Sequence, residues 1–235
     1  MINYAHRGAS EYAPENTMAA FEMGLAMGAN GIETDVQRTR DGVLVLAHDP
    51  TLARVAGLDR RICDMDWQEL REVDAGSFKG EAYRNERVVL LEDFLRRFDG
   101  MDLYLAIEIK QEGIEREMWA MIRRMIPCER VTVTSFMYES LLALTTQEPK
   151  PRLGYLAREY SPELLDRLKK DGIDEFCPKA EWLTEEMVKA ARERGLGLRA
   201  WGVKNVELMR RMNELGVDGM TVNFPDELTA LLMGK

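Results

Sequence analysis

Histidine is nearly absent from this sequence: the 235-residue chain has two, His6 and His48. Cysteine is scarce as well, with Cys63, Cys128 and Cys177 odd in number and far apart. Without a CxxC pair or a Cys/His cluster, neither a disulfide framework nor a thiolate metal site is suggested. Positive charge is in deficit, 32 Lys and Arg against 41 Asp and Glu, for a net charge of −9. That argues against the basic stripe of a nucleic-acid binder and against the polybasic patch of a protein that docks on anionic membranes. No apolar run approaches the roughly 20 residues that span a bilayer. The opening MINYAHRG lacks the apolar segment of a signal peptide. There is no Pro/Ser-rich linker, low-complexity tract or repeat. These absences lead us to expect one soluble cytoplasmic domain spanning 1–235, with a small-molecule partner, no nucleic acid and no stable membrane association. Oligomeric state is left open.

Hydrophobic residues make up 46% of the chain and charged residues 31%, enough for a sizeable core. Short apolar runs alternate with longer amphipathic stretches to the end. The runs predict strands over 2–5, 31–36, 103–109, 131–135, 152–156, 174–178, 197–201 and 218–222. The stretches predict helices over 16–27, 92–98, 116–125, 138–146, 162–171, 185–193, 206–215 and 226–233. Thr184 before Glu185-Glu186 reads as an N-cap, and Ser161-Pro162 as a cap followed by proline at the first helical position. Eight strand–helix units in about 250 residues is the arithmetic of a (β/α)8 TIM barrel; an open doubly wound sheet is the alternative. The segment 49–88 breaks the rhythm and reads as an insertion after the second barrel strand. Just before it, 43–47 predicts a short extra strand that turns at Asp41-Gly42.

In a barrel, functional groups sit at the C-terminal ends of the strands. The first predicted strand ends in His6-Arg7. In the second, period two places Glu33 and Asp35 on one face and Ile32 and Val36 on the other. In the third, Leu103, Leu105, Ile107 and Ile109 share the helix-facing side, and Glu108 and Lys110 the inward side. The extra strand leads into Ala47-His48-Asp49. Three inward carboxylates on neighbouring strands repel, and burying each unpaired costs several kcal/mol. A hard divalent cation, Mg²⁺ or Ca²⁺, is the natural compensation for oxygen ligands. Ion pairing with Arg7, Lys110 or Arg199 is the plainer alternative. Two histidines beside such a cluster suit general acid and general base work near neutrality.

These residues resemble those of the glycerophosphodiester phosphodiesterase family. The matching segments are His6-Arg7-Gly8, Pro14-Glu15-Asn16-Thr17, Glu33-Thr34-Asp35, Asp41-Gly42, His48-Asp49 and Glu108-Ile109-Lys110. Ser135-Phe136, Trp201, Gly219 and Pro225-Asp226 follow in order. The resemblance runs from residue 2 to about 228. It implies a TIM barrel with an insertion after the second strand. It implies metal-dependent hydrolysis of glycerophosphodiesters to glycerol 3-phosphate and an alcohol. It casts His6 and His48 as the acid/base pair, and Glu33, Asp35 and Glu108 as ligands of one Mg²⁺ or Ca²⁺. Arg7 becomes the phosphate-contacting arginine and Lys110 a site lysine. The chain departs from the family pattern at Val222-Asn223, where a Thr-Asp pair is usual, at Gly202-Val203-Lys204-Asn205, and at Val89-Leu90-Leu91. Lipid-directed readings, lysophospholipase D-like or phospholipase C-like, and a non-catalytic barrel are the alternatives.

Other residues carry two readings each. Pro14-Glu15-Asn16-Thr17 reads as ordinary helix-start chemistry, with Asn and Thr as caps; the second reading adds a role for Glu15, touching the metal site or orienting a ligand. Asp49 either holds His48 or begins a turn before Pro50. Trp201 reads as a wall of the substrate pocket, with plain core as the alternative, and Lys179 as a solvated loop lysine, with a second phosphate-facing cation as the alternative. Phe78 and Tyr83 either cover the substrate or pack the insertion down. Gly8 either lets substrate approach the backbone or only turns the chain.

Overall fold

A computed structural model describes residues 1–234. The chain runs β1 (Ile2–His6), α1 (Met18–Ala26), β2 (Gly31–Arg38), β3 (Leu44–Leu46), β4 (Thr51–Leu52), α2 (Ala53–Ala56), β5 (Leu58–Arg61), α3 (Trp67–Leu70) and α4 (Leu91–Phe98). It continues with β6 (Tyr104–Ile109), α5 (Glu115–Met125), β7 (Val131–Ser135), α6 (Tyr138–Leu142), β8 (Arg152–Leu156), α7 (Pro162–Lys170), β9 (Glu175–Cys177), α8 (Glu185–Glu193), β10 (Gly197–Ala200), α9 (Val206–Glu214), β11 (Gly219–Val222) and α10 (Pro225–Leu232).

Strands β1, β2 and β6 to β11 pair in parallel, and β1 bonds to both β2 and β11. The sheet therefore closes, which decides between the barrel and the open sheet. In β2, Ile32 and Val36 are fully buried in the main apolar core with Leu105, Ile107 and Ile109 of β6, as period two requires. The antiparallel strand β3 pairs with the end of β2, Val36 opposite Leu46, after a turn through Gly42 at φ 87°. It extends β2 past the barrel rim and delivers His48 to the mouth. The insertion beyond it has its own small core, in which Leu52, Ile62, Met65 and Leu70 pack on Val45 and Ala47. Phe78 is exposed there, while Tyr83 donates to the Tyr12 carbonyl at 3.2 Å. Neither residue lines the cavity at the barrel mouth that His6 and His48 share.

The caps at Ser161 and Thr184 form as expected, each side chain accepting from the backbone N–H three residues on. Most helix boundaries fall within one residue of the expectation, and two differ by more. The first helix begins at Met18, not 16, because Asn16 takes a left-handed backbone (φ 56°) and Thr17 is the cap. The helix after Tyr138 ends at Leu142, and the chain completes the segment in turns. Gly8 has a structural reason of its own. Its φ is +83°, and a Cβ there would lie 2.4 Å from the Ala20 carbonyl carbon. It is glycine so that α1 can pack against the end of β1.

Candidate active site

The strand ends bring together what the sequence separates. Glu33 and Asp35 from β2 and Glu108 from β6 are buried, and one carboxylate oxygen of each lies within 4.8 Å of the others. The β2–β6 register sets this directly, since Asp35 stands opposite Glu108. Part of their charge is met by ion pairing. Lys110 Nζ lies 2.7 Å from Glu108 and 3.2 Å from Asp35, and Arg7 Nε lies 3.1 Å from Asp35. The pairing does not reach Glu33, whose only salt-bridge neighbour among the described residues is the His6 ring at 3.9 Å. Asp35 Oδ1 is buried and, beyond the ion pair with Lys110, has no hydrogen-bond partner among the described residues.

The electrostatics follow from this imbalance. Burial, then the charges of Asp35 and Glu108, pushes the Glu33 carboxyl well above its usual range. Burial and Asp35 push Glu108 the same way. Burial opposes ionisation of Asp35 too, but Lys110 and Arg7 outweigh it and hold its carboxyl below the usual range. A cluster of oxygen donors with one ionised member and two raised ones fits a hard divalent cation, which would supply the missing positive charge.

Both histidines stand beside the cluster, each held through Nδ1. His6 Nδ1 lies 2.6 Å from Asn223 Oδ1, and His48 Nδ1 lies 2.7 Å from Asp49 Oδ1. Because these oxygens accept, each Nδ1 carries the proton and each Nε2 is left free. Burial, reinforced by the positive charge of Arg7, lowers His6 to about 4. Burial lowers His48 as well, and here Asp35 and Asp49 pull the other way.

Glu15 does not belong to the acidic cluster. It accepts from Arg7 Nη1 at 3.0 Å and from both terminal nitrogens of Arg54, which also donates to Asp49 at 2.8 Å. Glu15 therefore holds Arg7, and Arg54 ties it to the His48–Asp49 pair. Trp201 lines the cavity, its ring edge-on to Phe136 at 5.2 Å. Lys179 is not a solvated lysine as expected. It is half-buried, pairs with Glu181 and lies 5.9 Å from the Trp201 ring centre.

Three contacts escape the sequence pattern. Asn16 donates to Asp35 Oδ2 at 2.9 Å and accepts from Thr34 at 2.8 Å, so this buried amide fixes the acidic cluster rather than capping a helix. Asn223 holds His6. Arg199, fully buried, lies in the cavity floor and donates to Thr221 at 2.8 Å. The cavity lined by both histidines, Arg7, Glu33, Glu108 and Lys110 has a volume of about 280 Å³ and also takes in Lys204 and Val203.

A closed (β/α)8 barrel whose mouth sets an acidic, cation-fitting cluster between two histidines, an arginine and a lysine has the makings of a phosphodiester hydrolase. A sequence profile of the Glycerophosphoryl diester phosphodiesterase family matches residues 6–227, and the chain belongs to that family. It is 33% identical to a glycerophosphodiester phosphodiesterase of Caldanaerobacter subterraneus subsp. tengcongensis, over 97% of this chain and 96% of the relative. Among solved structures it resembles an Oleispira antarctica phosphodiesterase in complex with the product sn-glycerol-3-phosphate. The TM-score is 0.91 at 25% identity, covering 98% of this chain and 96% of that one. A glycerophosphodiester phosphodiesterase from Agrobacterium tumefaciens is similar at TM-score 0.86 and 27% identity, covering 97% and 98%.

Proposed function

We propose that the chain hydrolyses glycerophosphodiesters to glycerol 3-phosphate and an alcohol, with Glu33, Asp35 and Glu108 holding one divalent cation, Mg²⁺ or Ca²⁺. The substrate class follows from family membership. The observation that carries the site assignment is Glu33, a buried carboxylate beside two others, with no lysine or arginine in ion-pair contact among the described residues. When bound, the cation would draw negative charge from a phosphoryl oxygen.

The histidines divide the proton work by their partners. His6 is buried next to Arg7, which keeps its ring neutral, and the Asn223 amide fixes its Nδ1, so its Nε2 lone pair can take a proton from the attacking hydroxyl. His48 is lowered by burial too, but its carboxylate partner Asp49 and the charge of Asp35 offset part of that, so of the two rings it is the better placed to deliver a proton to the leaving oxygen. Arg7 and Lys110, fixed by Asp35, Glu15 and Glu108, present positive charge to the phosphate. Asp49 and Glu15 act at one remove, orienting His48 and Arg7.

Release of glycerol 3-phosphate from a panel of glycerophosphodiesters, with and without EDTA, tests this reading. Turnover should stop on chelation and return with Mg²⁺ or Ca²⁺. His6→Ala and His48→Ala should each lower it roughly 10²-fold or more, with melting temperatures little changed. Turnover that survives thorough chelation removes the cation from the account. Full turnover in either variant removes that histidine.

A further inference from the structure

The cavity has an acidic side and a cationic side. Its lining carboxylates, Glu33 and Glu108, both belong to the cluster described above. The wall formed by β10 and the loop after it contributes Arg199 at the floor, Trp201 above it and Lys204 at the mouth, and among the described residues no acid. Two arrangements leave this wall with surplus positive charge. Arg199 and Arg152 share one carboxylate, Glu175, which lies 2.7 Å from Arg152 but 3.8 Å from Arg199. The Arg199 Nε is buried with no hydrogen-bond partner among the described residues. At the mouth, Lys179 and Lys204 share Glu181. In each trio two cations face one anion.

The aromatic rings that line the cavity, Trp201 of this wall and Phe136 after β7, each already meet a cation. Arg158 lies 4.7 Å from the Phe136 ring centre, Lys110 lies 5.9 Å from the same ring, and Lys179 lies 5.9 Å from Trp201. A quaternary ammonium needs free aromatic faces or an unpaired carboxylate, and here Trp201 already meets Lys179 while Glu181 is shared by two lysines. An anion meets a mouth whose local sign is opposite to the −9 of the whole chain.

Every glycerophosphodiester shares its glycerol and its phosphate, and only the alcohol varies in size. The variable group needs the open side, and the wall runs from the buried Arg199 out to the exposed Lys204. Resting on the function proposed above, the geometry points to this wall as the alcohol subsite, selecting alcohols that carry their own phosphate or carboxylate over choline.

Three substrates of the purified, cation-loaded enzyme separate charge from size: glycerophosphoinositol 4-phosphate, glycerophosphoinositol and glycerophosphocholine. At low salt, kcat/KM for the phosphorylated substrate should exceed that for each of the others by about tenfold or more. The margin should shrink in about 0.5 M NaCl, where electrostatic attraction reaches only a few ångströms. Lys204→Glu should cut the ratio of phosphorylated to unphosphorylated inositol substrate by about tenfold, and Lys204→Gln by less. Lys204 is exposed, so thermal melts should show both variants folded. Hydrolysis of all three with equal kcat/KM, a preference for choline, or a ratio untouched by Lys204→Glu would overturn the subsite while leaving the hydrolase standing. No hydrolysis of any of the three would overturn both.

Discussion

The sharpest consequence of the acidic cluster is a pH-dependent instability that a cation removes. Burial and its neighbours push Glu33 from 4.5 up to about 8, and Glu108 up to about 7. Below its raised pKa the folded protein keeps a proton on Glu33 that the unfolded chain has already released. With no cation bound, the native state therefore binds more protons than the unfolded state, and stability falls as pH rises toward 8. His6 works in the opposite direction, because its lowered pKa makes stability rise with pH between about 4 and 6.5. The two effects oppose each other at acid pH, and the His6 contribution fades above 6.5 as the unfolded imidazole loses its proton. From pH 6.5 to 8, Glu33 alone should cost on the order of 2 kcal/mol, at about 1.4 kcal/mol per pH unit. For a chain of this length that corresponds to roughly 4–8 °C in melting temperature. Glu33→Gln should flatten this slope and raise the melting temperature at pH 8 in EDTA. Saturating Mg²⁺ or Ca²⁺, at about 100 times its dissociation constant, should stabilise the wild type by about 2.7 kcal/mol and the variant by much less. Differential scanning fluorimetry at pH 6.5, 7.2 and 8, with EDTA or cation, reads all of these quantities. A cation-free wild type that is equally stable at pH 6.5 and 8, or a variant that responds to cation as the wild type does, refutes the reasoning.

Two further predictions probe other parts of the site. Asn223→Asp puts a carboxylate on His6 Nδ1, which favours the imidazolium and should move the acid limb of the kcat/KM profile up by about one pH unit; an unmoved limb removes Asn223 as the group that sets the state of His6. Gly8→Ala drives a methyl group into the Ala20 backbone from a left-handed position and should cost more than about 3 kcal/mol, read as a lower urea midpoint; a neutral substitution would contradict the packing at that residue.

Much of this is readable in the chain. Period two in Gly31–Arg38 and Tyr104–Ile109 is enough to place Glu33, Asp35 and Glu108 on the interior side, because a buried strand leaves few ways to arrange acids and aliphatics. His6 and His48 are legible because they stand at the ends of short apolar runs. Closure is not, since alternation of strand and helix is the same in an open sheet, and only the pairing of β1 with β11 settles it. The contacts that escape the pattern are long-range amide and guanidinium bonds. Asn16 looks like a cap because Asn favours caps, yet its side chain reaches Asp35, 19 positions away in sequence. Asn223 meets His6 across 217 positions, and Arg54 joins Glu15 to Asp49 from within the insertion, whose local pattern predicts no regular element. Such partners are set by closure of the barrel, which sequence periodicity does not encode.

If the acids between the two histidines form one cation centre, a bound cation should be visible there. An anomalous difference map from crystals soaked in Mn²⁺ tests it most directly. A single strong peak is expected, bounded by the carboxylates of Glu33, Asp35 and Glu108, facing the cavity shared by His6 and His48, and absent in Glu33→Gln crystals. No peak there under saturating Mn²⁺, or a peak held by other residues, would contradict it.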